Sequence, residues 1–335
     1  MYIAAGLAVA KAAASPWQDV VRRRIFEPLG MTGAVFTRSE VRKTPDHASP
    51  HRRDKDGKLR TIEWYDDDHQ VRASGSIKAS ARDLARWVRF QLGDGTFEGK
   101  RLLSARGLAE THMPQTVIRL EGLFQASNPE TTQMSYGLGW IIQDYRGRLL
   151  YTHSGGLEGF RSRIVLVPKE RLGIVLLMNA DVGASRASMH LAVTNSLLDL
   201  LLKLPRKDWN AHYAGLVKKL EEEARAVRAA RQAKRHKGTK PSKDLEAYTG
   251  LYLAPAYGLA AVTRENGALL LRWSSFRMPL EHFHFDTFLT GGDPLVAEKP
   301  VVFTLGSDGE VAVMTFMGVS FRKIKVPANG ASGER

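Results

Sequence analysis

Between residues 136 and 178 the apolar residues of this chain fall into short strand-like runs. That stretch constrains the fold more than any other. Tyr136 to Ile142, Leu149 to His153, Arg161 to Val167 and Gly173 to Met178 each read as a strand. The linkers between them, Arg146-Gly147-Arg148 among them, are too short to hold a crossover helix, so neighbouring strands run antiparallel. Helical spacing precedes the runs (Leu84, Trp87, Val88, Leu92) and follows them (184 to 202). An antiparallel sheet flanked by helices belongs to the α+β class.

The second run ends in His153-Ser154-Gly155-Gly156. An imidazole at a strand end beside two glycines is a candidate site, because a glycine lets a bound backbone come close. A strand-end histidine can equally be a satisfied polar residue. Ser154 has a hydroxyl but no paired base, and no Gly-x-Ser-x-Gly elbow exists.

Residues 2 to 13 read as a buried helix of the domain. A secretory signal core is the alternative, but no positive residue precedes the apolar stretch. Ser15-Pro16-Trp17-Gln18 reads as a second helix start with Ser15 as cap. Residues 38 to 72 form a polar surface excursion. Within it Asp66-Asp67-Asp68-His69 is read as a solvated acidic loop, since no second ligand cluster has metal-binding spacing. Ser80, with Asp83 three residues on, caps the next helix.

Past residue 204 the character changes. Residues 205–243 form a charged helical linker with a thin apolar stripe, broken by Gly238-Thr239-Lys240-Pro241. Residues 244–325 are β-rich and predict a small β-barrel-like or sandwich domain. Asn266-Gly267 is a two-residue hairpin turn, and Phe285, Phe288, Phe303 and Phe321 are core candidates. Residues 326–335 read as a disordered tail.

Composition closes several options. There is no cysteine, which excludes disulfides and thiolate chemistry. No apolar run reaches the roughly 18 residues that span a bilayer. Net charge is +14, with much of the excess between Lys203 and Lys243. No aromatic residue follows Tyr213 in that stretch, so a nucleic-acid stacking surface is not expected. Retention on an anionic polymer by residues 203 to 243 stays open as a lesser reading.

Three strings occur in one order: Ile25-Phe26-Glu27-Pro28-Leu29-Gly30-Met31, the block from Ser74 to Trp87, and Tyr136 to Pro168. Together they resemble the serine β-lactamase and penicillin-binding-protein family, in its His-x-Gly branch. Tyr248-Thr249-Gly250-Leu251-Tyr252 resembles the entry to a small β-domain that often follows it. The resemblance implies an incomplete β-lactamase-like domain over residues 1–204 and an acyl-serine mechanism on amide, lactam or ester bonds. It gives His153 and Gly155 to the third active-site motif, and Ser154, Gly156 and Tyr136 to substrate binding. A small-molecule or peptide substrate is implied; a metal or organic cofactor is not. Relatives are often periplasmic or secreted, and compartment and oligomeric state stay open.

The other two family motifs do not appear. Tyr-x-N and Ser-x-Asn are absent, and Ser-x-x-Lys occurs once, at Ser320 and Lys323 in the final β-run. Alternation there sends the two side chains to opposite faces. Tyr2-Ile3-Ala4-Ala5-Gly6 resembles the helix that follows Tyr-x-N, so Met1 reads as an internal methionine or the edge of a lost front. The chain is then expected to be inactive as given, with an exposed strand edge and a tendency to aggregate. A non-catalytic peptide- or cell-wall-binding accessory protein is the alternative.

Overall fold

The computed structural model describes residues 1–54, 57–65, 67–68, 71–157, 159–181, 188–274, 276–292 and 296–324. Two compact units divide the chain, Met1–Ala224 and Arg225–Arg335.

The first unit is built on a six-stranded antiparallel sheet. Its order across the sheet is Leu172–Met178, Phe160–Val167, Arg148–Leu157, Ile141–Tyr145, Met134–Tyr136 and Thr116–Val117. The expected single strand over 136–142 is two strands. Gly139 has φ +88°, and a Cβ at Gly137 would lie 2.8 Å from the Thr111 carbonyl oxygen, so the chain turns there.

Helices cover both faces of this sheet. The helix Ala81–Gln91 starts with the capping box the sequence predicts, the Ser80 hydroxyl accepting from the Asp83 amide. Its Val88 packs with Trp140, Tyr151, Ile164, Leu166 and Val175 on one face. On the other face Tyr145, Leu150, Val165, Val167 and Ile174 pack under helix Ser188–Leu201. The helix Trp209–Ala233 occupies most of residues 205–243, and its first turns bury Trp209 and Tyr213 in that same core.

Three expectations are corrected here. The first helix, Tyr2–Ala12, is not buried: Ile3 is 45% and Leu7 67% exposed, and only Gly6 is inside. Among the described residues no layer covers its outer side. Ser15 does not cap the second helix, whose N-cap is Pro16; the Ser15 hydroxyl accepts from Arg23 instead. The acidic loop is not solvated at Asp67, which is 1% exposed and ion-paired with Lys78, while it also accepts from the Arg38 amide. Burial of such a pair is tolerated because each partner has further hydrogen bonds. Asp66 and His69 lie outside the described residues.

The second unit contains a closed barrel of eight antiparallel strands, from Gly250–Ala254 to Val319–Ile324, with first and last paired. Inward positions are filled by Tyr248, Tyr252, Met278, Phe288, Phe303, Met314, Phe316 and Phe321. Phe285 is the exception among the core candidates. It sits in a turn with φ +43° and is 49% exposed. Asn266 and Gly267 both have positive φ, as the predicted hairpin turn requires. Residues 326–335 lie outside the described residues. Among the described residues no helix is long and apolar enough to cross a membrane.

Candidate functional site

Strand alternation sorts the His-Ser-Gly-Gly segment. Residues His153 and Tyr151 point to the face that carries helix Ala81–Gln91, while Thr152 and Ser154 point to the other. The Tyr136 strand lies two places along the sheet from the His153 strand. It delivers a hydroxyl 3.0 Å from His153 Nε2. The Tyr136 hydroxyl is also hydrogen-bonded to that of Tyr2, at the start of the first helix. The Tyr2 ring stands edge-on to the imidazole, centroids 6.4 Å apart at 89°. Three aromatic polar groups therefore form one chain, Tyr2 to Tyr136 to His153.

Their protonation is set by burial. Burial lowers the His153 pKa, and the Arg163 cation adds to this, against a hydrogen bond with the Ser154 backbone that raises it. Burial pushes the Tyr136 phenol well above its usual range. A phenol that keeps its proton can donate to a neutral imidazole; in that arrangement the ring's own proton sits on Nδ1 and Nε2 is the acceptor.

Behind the strand lies a different arrangement. Ser154 is directly opposite Arg163, whose Nη1 donates to the Ser154 hydroxyl at 3.1 Å. Arg163 is 7% exposed, and among the described residues its Nε has no hydrogen-bond partner and no carboxylate pairs with it. Burial pushes this guanidinium down to about 10. Gly155 faces Ser162 and Gly156 faces Arg161 across the ladder. A Cβ at Gly156 would lie 2.6 Å from Arg161 Nη1, and one at Gly155 would meet the Ser162 hydroxyl. Both close contacts are with movable side-chain atoms, so a side chain at either place would displace the Arg161 guanidinium or the Ser162 hydroxyl.

Of the residues singled out in the sequence, the structure brings together His153 and Tyr136, with Gly155 and Gly156 next along the strand. It turns the Ser154 side chain to the opposite face. Ser320 and Lys323 do part as expected: Ser320 is exposed beside Thr315, and Lys323 Nζ donates to the Ala247 carbonyl. Tyr2 was not singled out. The signal for it is faint, since it lies 134 residues from its partner.

Residues 1–197 match the family model for beta-lactamase, which is more than half of the sequence. The chain belongs to the beta-lactamase family. Residues 234–326 match a domain of unknown function, DUF3471. Among curated proteins the chain is similar to an unguisins hydrolase of Aspergillus violaceofuscus, 27% identical over 77% of this chain and 47% of that protein. It is also similar to penicillin-binding protein 4 of Amycolatopsis lactamdurans, 27% identical over 50% of this chain and 43% of that protein. The chain thus spans about half the length of the curated relatives it matches. The fold resembles the octameric penicillin-binding-protein homologue of Pyrococcus abyssi, with a TM-score of 0.51 and 20% identity over 96% of this chain and 63% of that one.

Proposed function

We propose that this chain supplies one wall of an acyl-transfer pocket in a beta-lactamase-family serine hydrolase. The pairing of Tyr136 with His153 at 3.0 Å carries the reading. It holds a neutral, oriented imidazole beside the glycines of the same strand. In the proposed reaction a serine oxygen adds to the substrate carbonyl, the C–N or C–O bond breaks, and the leaving atom takes a proton. Water then cleaves the acyl-serine ester. His153 presents the polar group of the wall, and Tyr136 fixes its tautomer. Gly155 and Gly156 keep the strand edge open to a substrate backbone, whose oxyanion a strand N–H can stabilise. No Ser-x-x-Lys stands at a helix start in this sequence, so the chain by itself forms no acyl-enzyme.

A fluorescent penicillin and a fluorophosphonate probe test this. The chain is expected to remain unlabelled, while the ring signals of His153 shift when a D-alanyl-D-alanine peptide is added. A covalent adduct would reveal a nucleophile within the chain. No adduct and no shift at His153 would remove the pocket reading.

A further inference from the structure

On the outside of the barrel, the turn between strands Phe276–His284 and Thr287–Thr290 is gripped by residues 235–242 of the same unit. Arg235 Nε donates to the Phe283 carbonyl at 2.8 Å, and its Nη2 to that of His282 at 3.4 Å. The Thr239 hydroxyl accepts from the Phe285 amide at 3.1 Å, and the Ser242 amide donates to Asp286 at 2.8 Å. Phe285 has φ +43°, which an L side chain rarely adopts, so these contacts hold a strained turn. Between the anchors two imidazoles meet. The rings of His236 and His284 lie 5.7 Å apart, and the Phe285 ring lies 5.1 Å from the first and 5.4 Å from the second. The His236 amide points at His284 Nδ1, 3.4 Å away.

An amide can donate to that nitrogen only while it carries no proton. A protonated His284 loses the acceptor and sets one N–H against another. The same drop in pH charges His236 beside it. We propose that this pair is a pH-sensitive clasp, which closes residues 236–239 onto the turn while both rings are neutral and opens when they are protonated. The surrounding charges offer no relief. Arg235 and His236 act on His284 from the incoming segment and His282 from its own strand, all of them cationic or able to become so. The exposed Lys234, Lys237 and Lys240 add positive charge to the same segment. Asp286 of the turn acts on His282 and is already bonded to Tyr248 and Ser242. Glu281 lines a cleft with Arg228, Arg231 and Glu298. His282 itself is not the switch, because its Nε2 donates to the Phe285 carbonyl at 2.8 Å and a protonated ring still donates. Burial, then the neighbouring cations, lowers the His284 pKa. The clasp is therefore complete above the midpoint of the open form and is lost as pH falls through that of the closed one. The barrel itself takes no part, since its strands are joined backbone to backbone around an apolar interior.

Hydrogen exchange of the full chain, corrected for the intrinsic pH dependence of amide exchange, tests this. Between about pH 8 and about pH 5 the His236 and Phe285 amides should lose about tenfold in protection, the change that one pH unit between closed and open midpoints gives. The amides of strand Ala268–Trp273 should keep theirs. His284→Asn offers an acceptor that does not titrate, and its His236 amide should stay protected at the lower pH. His236→Gln removes one of the charges and should move the loss to lower pH. The resonance midpoint of the His284 ring in the parent chain should coincide with the loss, which gives an answer even if a variant fails to fold. Protection at His236 and Phe285 that ignores pH, an equal loss in Ala268–Trp273, a loss unchanged in either variant, or a His284 midpoint away from the loss would each overturn the clasp.

Discussion

The two units solve the problem of a β-sheet in opposite ways. The barrel joins its first strand to its last, so every strand has two neighbours and the inside is filled by large apolar side chains. The first unit leaves its sheet open and relies on helices to cover the faces. Their interiors differ accordingly. Among the described residues eleven buried polar or charged side chains lie in the first unit, from Asp67 to Asp199, and one, Thr290, lies in the second. In the first unit the buried pair of Tyr145 with Asp199 joins the sheet to the helix Ser188–Leu201, whereas the barrel interior is filled almost wholly by apolar side chains. The first unit should therefore respond to charge and pH, and the second to volume.

The largest effect should come from emptying the barrel. Phe303 is 3% exposed and its ring lies 5.0 Å from Tyr248 and 5.7 Å from Phe288. Phe303→Ala should cost about 3–5 kcal/mol. Denaturant unfolding should show the loss in the barrel transition alone. A loss shared equally by the first unit would break the comparison. Asp199 plays the matching part in the first unit. It is 2% exposed and accepts from Tyr145 at 2.7 Å and Trp209 at 2.7 Å, and it pairs with Arg146 at 2.9 Å. Asp199→Ala leaves these donors without their acceptor and should cost about 3 kcal/mol, in the first unit only.

Asp199 also sharpens the comparison through pH. Burial alone would raise its carboxyl, but the hydrogen bonds from Tyr145, Trp209 and Arg146 outweigh burial and hold it below the usual carboxylate range. Its contribution is complete above the unfolded carboxylate value and is lost as pH falls through the folded one. Acid melting of the first unit should be flatter in Asp199→Ala than in the parent chain.

Local signals other than the Ser15 cap were readable in the sequence, and distant ones were not. Ser80 with Asp83, and Asn266 with Gly267, act within a few residues, and both form as predicted. The strand runs were visible because alternation is a local pattern, although Gly137 and Gly139 split the first of them. Phe285 and Phe288 look alike in sequence, and only the turn geometry sends the first outward. The first helix is apolar enough to be buried, but burial depends on what lies against it. At the site, His153 and Tyr136 could be named from motif position. Their bond could not, because it joins strands that are not adjacent in the sheet. The ion pair of Asp67 with Lys78 was hidden in the same way by an irregular stretch that gives no period to read.

A smaller effect should follow from removing a cap. Ser80→Ala loses the bond to the Asp83 amide and should cost about 1 kcal/mol, read in the first unit's unfolding transition. The Ser80 hydroxyl also donates to the Asp83 carboxylate at 2.7 Å, but that carboxylate keeps the Ser80 and Gly33 amides as donors, so the cost stays below that of Asp199→Ala.

The smallest effect on stability, and the one closest to function, concerns His153. Burial holds its pKa below the ordinary 6.5, with Arg163 adding to the shift. The folded state thus prefers the neutral ring. Stability from this source is complete above the unfolded value and is lost as pH falls through the interval down to the folded one. Nuclear magnetic resonance of the ring protons should give a midpoint below that of an exposed histidine. With the Tyr136 hydroxyl as donor to Nε2, Tyr136→Phe weakens the hold on the neutral form, and the midpoint should rise. Tyr2→Phe should move it in the same direction by less, because Tyr2 reaches the imidazole hydrogen bond only through Tyr136. Equal shifts from the two variants would mean that ring packing, not the hydroxyl chain, controls the imidazole. An unmoved midpoint in Tyr136→Phe would mean that the contact does not form in solution, and the proposed pocket would lose its oriented polar group.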